Sequence, residues 1–177
     1  FYSRKPDALH QEFIDAVFHT EPPMSAAEQR ETFQSALCGA LEEDCSMEVI
    51  QSVHDYLRQR IQEHKDSRDP EPLAVTAGEV GGVLRNCGVP ETRVEAFQAA
   101  CGESFGEGAL APANLIDAKH FAVKTAEATI QVDPERSFLV EARVIDGRRY
   151  LLVPADESVE VNGLGVRIVA ATRNETL

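Results

Sequence analysis

The residues best placed to do chemistry cluster around one dipeptide. Asp146-Gly147 is a pair that a two-residue type I′ turn prefers, because both central positions need positive φ. Such a turn pairs Ile145 with Arg148, Arg143 with Tyr150 and Glu141 with Leu152 on one face of a hairpin. Arg143 and Arg148 would then present forked N–H donors suited to phosphate or carboxylate, with Tyr150 free to stack and Glu141 beside them. Arg136 and Arg149 are close by in sequence. These groups make the candidate ligand-binding set Arg143, Arg148, Tyr150 and Glu141, for an anionic small molecule or a nucleic acid. The same residues also describe a solvated sheet face with cross-strand ion pairs, or a docking surface, and mixed charge on an outer sheet face is commonplace.

Other constellations carry less. Two short helices joined through Gly88-Val89-Pro90 resemble a helix-turn-helix in outline, but the second opens with Glu91, Thr92, Arg93 and Glu95. Those acids suit a phosphate-lined groove badly, so plain packing is the better account. Gly78, Gly81 and Gly82 lack phosphate-loop spacing and fall within a helical pattern. The five histidines form no pair at helical metal-ligand spacing, and His54 beside Asp55 reads as a surface or interhelical contact. Glu42-Glu43-Asp44 suits the start of a helix and is too poor in oxygen ligands for a calcium loop. Cys38, Cys45, Cys87 and Cys101 are too widely spaced for a zinc ribbon or a short redox motif. They are expected as small buried hydrophobes in a reducing, cytoplasmic compartment. No motif asks for a metal or cofactor, and no nucleophile elbow or kinase motif names an enzyme.

The elements that position these residues fall into two regimes. Asp7 begins an apolar stripe of Leu9, Phe13, Ile14 and Val17 that ends before Pro22-Pro23. Ser25 and Glu28 form a capping box for a helix burying Phe33, Leu37 and Leu41. A further helix is expected from near Ser46 to about His64, with Ile50, Val53, Leu57 and Ile61 inward. Lys65 to Pro72 reads as a linker and Leu73–Val75 as a short strand. Thr76 and Glu79 repeat the capping box, Gly88 ends that helix, and Val94, Phe97 and Cys101 line the next until Gly102 stops it. After Asn114 the apolar period becomes two, through Phe121, Val123, Ile130 and Val132. A second hairpin at Asn162-Gly163 sets Val159 against Val166 and Val161 against Leu164.

The fold class is therefore α+β: N-terminal helices followed by an antiparallel sheet of about five or six strands with two type I′ hairpins, one sheet face covered by helices. The apolar side of the first hairpin, Val140, Ala142, Val144, Leu151 and Val153, is expected to be core. The corresponding divisions are a helical region over 1–68, a short strand and helical hairpin over 69–112, an antiparallel β region over 113–169 and a tail over 170–177.

Composition bounds the function. The 177 residues include 17 Lys/Arg and 30 Asp/Glu, a formal net charge of −13, a field that repels phosphate backbones and anionic membranes. Nucleic acid is thus an unlikely partner, and no apolar run is long enough to span a membrane.

Certain segments resemble a known family: Leu9-His10-Gln11-Glu12-Phe13-Ile14, Ser52-Val53-His54, Asp69-Pro70-Glu71-Pro72-Leu73 and Val132-Asp133-Pro134-Glu135-Arg136. The stretches from Leu139 to Tyr150 and from Val159 to Gly163 carry the resemblance most specifically. They resemble the C-terminal half of bacterial domain-of-unknown-function family 4317, from gut Firmicutes. The resemblance implies that an N-terminal region precedes Phe1, in keeping with the absent initiating Met. It brings no catalytic residues. The expectation is a non-enzymatic protein-interaction module of a larger cytosolic protein, its partner being that N-terminal region, another protein or a second copy. The alternative is anion binding, or catalysis, at the Arg-rich face of the 139–154 hairpin.

Overall fold

The computed structural model describes residues 24–106, 109–156 and 159–168. The expected first helix around Leu9–Val17 and the tail over 170–177 lie outside the described residues. The chain divides into two compact units, Phe1–Ala118 and Lys119–Leu177.

The first unit is helical. Helix α1 (Ala26–Leu41) starts at the expected capping box, the Ser25 N–H donating to Glu28 Oε2 at 2.7 Å. Helix α2 (Met47–Ser67) is capped by Ser46 and ends at Arg68, whose φ of 54° is left-handed. It runs one turn past the expected end, because the Lys65–Ser67 stretch of the supposed linker contains no proline to stop it. Helix α3 (Ala77–Asn86) and helix α4 (Glu91–Phe105) form the helical hairpin, with Gly88 at φ 81° between them. Gly102 does not end α4; Gly106 does, at φ 69°, since a single helical glycine costs only about 1 kcal/mol. The expected strand at Leu73–Val75 is reduced to one antiparallel bridge, Val75 with Leu110, bonded in both directions at 2.9 and 2.8 Å. A one-turn helix α5 (Pro112–Leu115) completes the unit.

The helices close a ring in which α1 meets α4 and α5, α4 meets α3, α3 meets α2, and α2 meets α5. Inside it, Leu41, Leu57, Val80, Leu84, Val94 and Phe97 are fully buried. Phe33 packs edge-on against Phe97, with ring centroids 6.0 Å apart and planes at 84°. Gly81 lets α3 and α4 approach; a Cβ there would stand 3.0 Å from Val94 Cγ1. His54 is buried and its Nε2 donates to the Asp117 carbonyl at 3.0 Å, tying α2 to the segment after α5. A carbonyl only accepts, so the proton sits on Nε2, and the contact is structural.

The second capping box has a measurable pH signature. The Thr76 N–H donates to Glu79 Oε2 at 2.7 Å and Thr76 Oγ1 accepts from the Glu79 N–H at 3.1 Å. The Thr76 main-chain N–H is the largest influence holding the Glu79 carboxyl below its ordinary value of 4.5. A carboxyl lowered on folding stabilises the fold above its unfolded value and loses that contribution as pH falls through the folded one. Glu79→Gln is therefore expected to be less stable than the parent at pH 7, with the difference shrinking as pH is lowered into the acid range, as read by urea unfolding across that range. Thr76→Ala should cost about 1 kcal/mol at neutral pH.

The described residues of the second unit form three hairpins. β1 (Phe121–Lys124) pairs with β2 (Thr129–Val132), β3 (Glu141–Ile145) with β4 (Arg148–Leu152), and β5 (Val159–Val161) with β6 (Leu164–Val166), all antiparallel. Both expected type I′ turns form, with φ of 50° and 74° at Asp146-Gly147 and 53° and 79° at Asn162-Gly163. The registers Arg143–Tyr150, Ile145–Arg148, Val159–Val166 and Val161–Leu164 are those the dipeptides imply.

The expected single sheet of five or six strands is not formed: the strands make three separate two-stranded sheets. The segments between hairpins explain the difference. After β2, the Asp133 side chain accepts from the Glu135 N–H at 2.9 Å and starts a 3-10 turn over Pro134–Leu139. After β4 comes Val153-Pro154, and Pro154 has no N–H for a ladder. The expectation that Val140, Ala142, Val144, Leu151 and Val153 form a core face is also corrected. Val140 is 2% exposed, but Val144 is 70% and Val153 47% exposed, Ala142 is open and Leu151 half-buried. The helices use their apolar stripes on one another in the first unit.

The cysteines also depart from expectation. Only Cys101 is buried; Cys38 and Cys87 are exposed and Cys45 is half-buried. Cys38 lies on the outer side of α1, whose inward side carries Phe33, Leu37 and Leu41.

Candidate functional site

The β3–β4 hairpin has two dissimilar faces. One carries Glu141, Arg143, Ile145, Arg148, Tyr150 and Leu152, as the register dictates. On it the Arg143 guanidinium grips Glu141 on its own strand, Nη2 to Oε2 at 2.5 Å and Nε to Oε2 at 2.8 Å. The Arg143 fork is thus shared with a neighbouring carboxylate in a solvent-exposed pair.

The other face carries Ala142, Val144, Arg149 and Leu151. Against it lies a cleft of about 560 Å³, lined mainly by Ala142, Val144 and Leu151 of this hairpin and by Ala128 and Ile130 of the first. Arg149 belongs to this face, and Arg143 and Tyr150, whose side chains project from the other, also border the cleft. The structure thus gathers Arg143 and Tyr150 at the cleft, while Arg148 and Glu141 are not part of its lining. Arg149 and Val144, cross-strand partners, are the residues that reading the sequence left out of the set. Their signal was present in the alternation: both fall on the side assigned to the core.

The apolar exposure is concentrated. Among the described residues, the exposed large hydrophobic side chains all lie between Phe138 and Ile168, with Val144, Leu164 and Phe138 at 70%, 72% and 67%. β3 and β4 have one strand neighbour each, so among the described residues each has an edge of main-chain N–H and C=O groups without a ladder partner.

In the first unit a cleft of about 400 Å³ at the end of α2 is lined by Arg60, Glu63, His64, Asp69 and Glu71, and there Arg60 is already paired with Glu63 at 3.2 Å. A smaller cleft of about 210 Å³ is lined by Thr76, Gln98, Cys101, Phe105 and neighbouring small residues, with no converging charged groups. Among the described residues no group of three or more His, Cys, Asp or Glu is arranged to hold a metal. No described helix is long and apolar enough to cross a membrane.

No curated protein and no solved structure matches the chain. A family model does: the one described as Domain of unknown function (DUF4317) matches residues 1–164, which covers the first unit, the candidate hairpin and most of the second unit. The chain belongs to the DUF4317 family.

Proposed function

We propose that this chain is a protein-interaction module whose β3–β4 hairpin receives an extended segment of a partner protein. The observation that carries this reading is the exposed apolar face of a two-stranded hairpin, with Val144 70% exposed beside open strand edges. A two-stranded hairpin alone is marginal in water, and a third strand with a covered apolar face relieves both deficits. Strand addition supplies main-chain hydrogen bonds along the edge, while alternate side chains enter the cleft. The cleft selects the occupant's chemistry. Ala142, Val144, Leu151 and Ile130 call for apolar side chains at every second position, and Arg149 calls for an acidic residue among them. The partner is therefore an extended segment of alternating apolar residues with one Asp or Glu facing Arg149.

Selection from a displayed random-peptide library against the chain tests this. Enriched sequences should alternate apolar and polar residues, carry an acid, and lose binding when backbone N–H groups are methylated. Enrichment of helical or basic peptides, or no enrichment with a monomeric chain, overturns the reading. A dimer by sedimentation that Val144→Glu dissociates would make a second copy the occupant instead.

Anion binding on the opposite face is the weaker reading, because Glu141 already shares the Arg143 fork. Thermal unfolding with nucleotides, sugar phosphates or short oligonucleotides is expected to show no shift. A true ligand at about 100 times its dissociation constant would add about 2.7 kcal/mol, and a shift lost in Arg143→Ala would move the function to that face.

A further inference from the structure

Cys38 and Cys45 are seven positions apart, which on an unbroken helix would be two turns. The helix is broken. Glu42 takes φ 48° and ψ −114°, its N–H closes back onto the Cys38 carbonyl, and a 3-10 turn over Glu42–Asp44 follows. The Cys45 N–H donates to the Glu42 carbonyl at 3.2 Å, and the chain doubles back beside the last turn of α1. The two sulfurs then lie 3.1 Å apart, the Cys45 thiol donating to Cys38 Sγ. Arg93 of α4 holds the turn in place, Nη2 to Glu42 Oε2 at 2.8 Å.

This arrangement has the parts of a two-thiol exchange site. Cys38 is exposed and meets a dissolved reagent first; Cys45 is half-buried behind it. A disulfide needs the sulfurs at about 2.05 Å, an approach of about 1 Å that side-chain rotation can supply. We propose that Cys38 and Cys45 form an oxidation-responsive pair, in which Cys38 reacts with a low-molecular-weight disulfide and Cys45 resolves the product into an intramolecular disulfide.

The chemistry balances. The Cys38 thiolate, having lost its proton to solvent, attacks one sulfur of the small disulfide and expels one thiolate. A Cys38 mixed disulfide results. Cys45 then gives up its proton, attacks Cys38 Sγ, and expels the second small thiolate. Two protein S–H bonds are lost and one S–S bond is gained, while the small disulfide is reduced to two thiols, which take up the two protons. Burial, with the contact to Cys38, pushes the Cys45 thiol up to about 12, so Cys45 is the poorer first nucleophile of the two. The new bond ties the end of α1 to the start of α2, whose cap is Ser46.

The test uses the whole chain carrying Cys87→Ser, which removes the other exposed thiol. The reduced protein is exposed to oxidised glutathione and followed by intact mass and peptide mapping. The expected product is lighter by two hydrogens, with Cys38 joined to Cys45. Adding Cys45→Ser should instead trap one glutathionyl group on Cys38, and adding Cys38→Ser should slow modification roughly tenfold or more. Circular dichroism under reducing conditions checks that each variant is folded, and the mass of the Cys87→Ser protein decides the matter without the others. A lasting glutathione adduct on Cys38 when Cys45 is present, a bridge between two chains, or no reaction overturns the proposal.

Discussion

Replacing Phe97, the largest fully buried side chain among the described residues, by Ala is expected to lower the stability of the helical unit by about 3–5 kcal/mol. Phe97 is fully buried at the centre of the ring of helices, and its ring meets Phe33 edge-on. Truncation removes the transfer energy of the ring and leaves a cavity between α1 and α4, which the packed helices only partly collapse to fill. The aromatic contact adds a further part of the cost. Urea unfolding followed at the helical circular dichroism band measures it directly. In thermal melts the midpoint should fall by on the order of 10–20 °C. Phe97→Leu, which keeps most of the volume, should lose clearly less. An Ala variant as stable as the parent would mean that the helical core is not packed as described.

The second large effect is on binding and not on folding. Val144→Glu is expected to weaken the selected extended peptides at least about tenfold, equivalent to about 1.4 kcal/mol. Two complementarities disappear together. The apolar wall of the cleft gains a charge, and the new carboxylate faces Arg149 across the strand pair, taking the cation that the partner's acid would use. Because Val144 is 70% exposed and the Glu–Arg pair suits the hairpin, unfolding stability should change by no more than about 0.5 kcal/mol. Titration of a labelled peptide by fluorescence anisotropy reads the affinity, and urea unfolding of the same sample reads the stability. If Val144→Glu instead unfolds the chain, that face is core in solution and the interaction reading fails.

The pattern of what was legible follows from the range of each interaction. Local signals transferred well. Ser25 with Glu28 and Thr76 with Glu79 are each closed by groups three residues apart, and both boxes form. The dipeptides Asp146-Gly147 and Asn162-Gly163 each specify a turn, and through the turn a register. Helix ends were less secure. Gly102 was expected to stop α4, yet Phe105, beyond the glycine, packs against the core and carries the helix on to Gly106.

The candidate site was half visible. The hairpin, its register and the grouping of Arg143 with Tyr150 could be read from two dipeptides and an alternation. Which of its faces stays open could not. An apolar strand face reads the same whether it is covered by its own chain or left for another, because side-chain type records the preference for burial and not what provides it. Likewise a seven-residue cysteine spacing looks inert until a single backbone reversal at Glu42 sets the two sulfurs side by side.

By itself, then, the sequence determined the elements: capped helices with one apolar stripe, hairpins with defined turns, and a strongly acidic surface. Each of these depends on groups within about one turn or one hairpin of each other. Only the tertiary structure decided that six strands pair as three separate hairpins, that the face of Ala142, Val144 and Leu151 is open, and that Cys38 meets Cys45. Those outcomes depend on which surfaces meet across the fold. Many pairings of apolar faces have similar local energies, and only the packing of the whole chain selects among them.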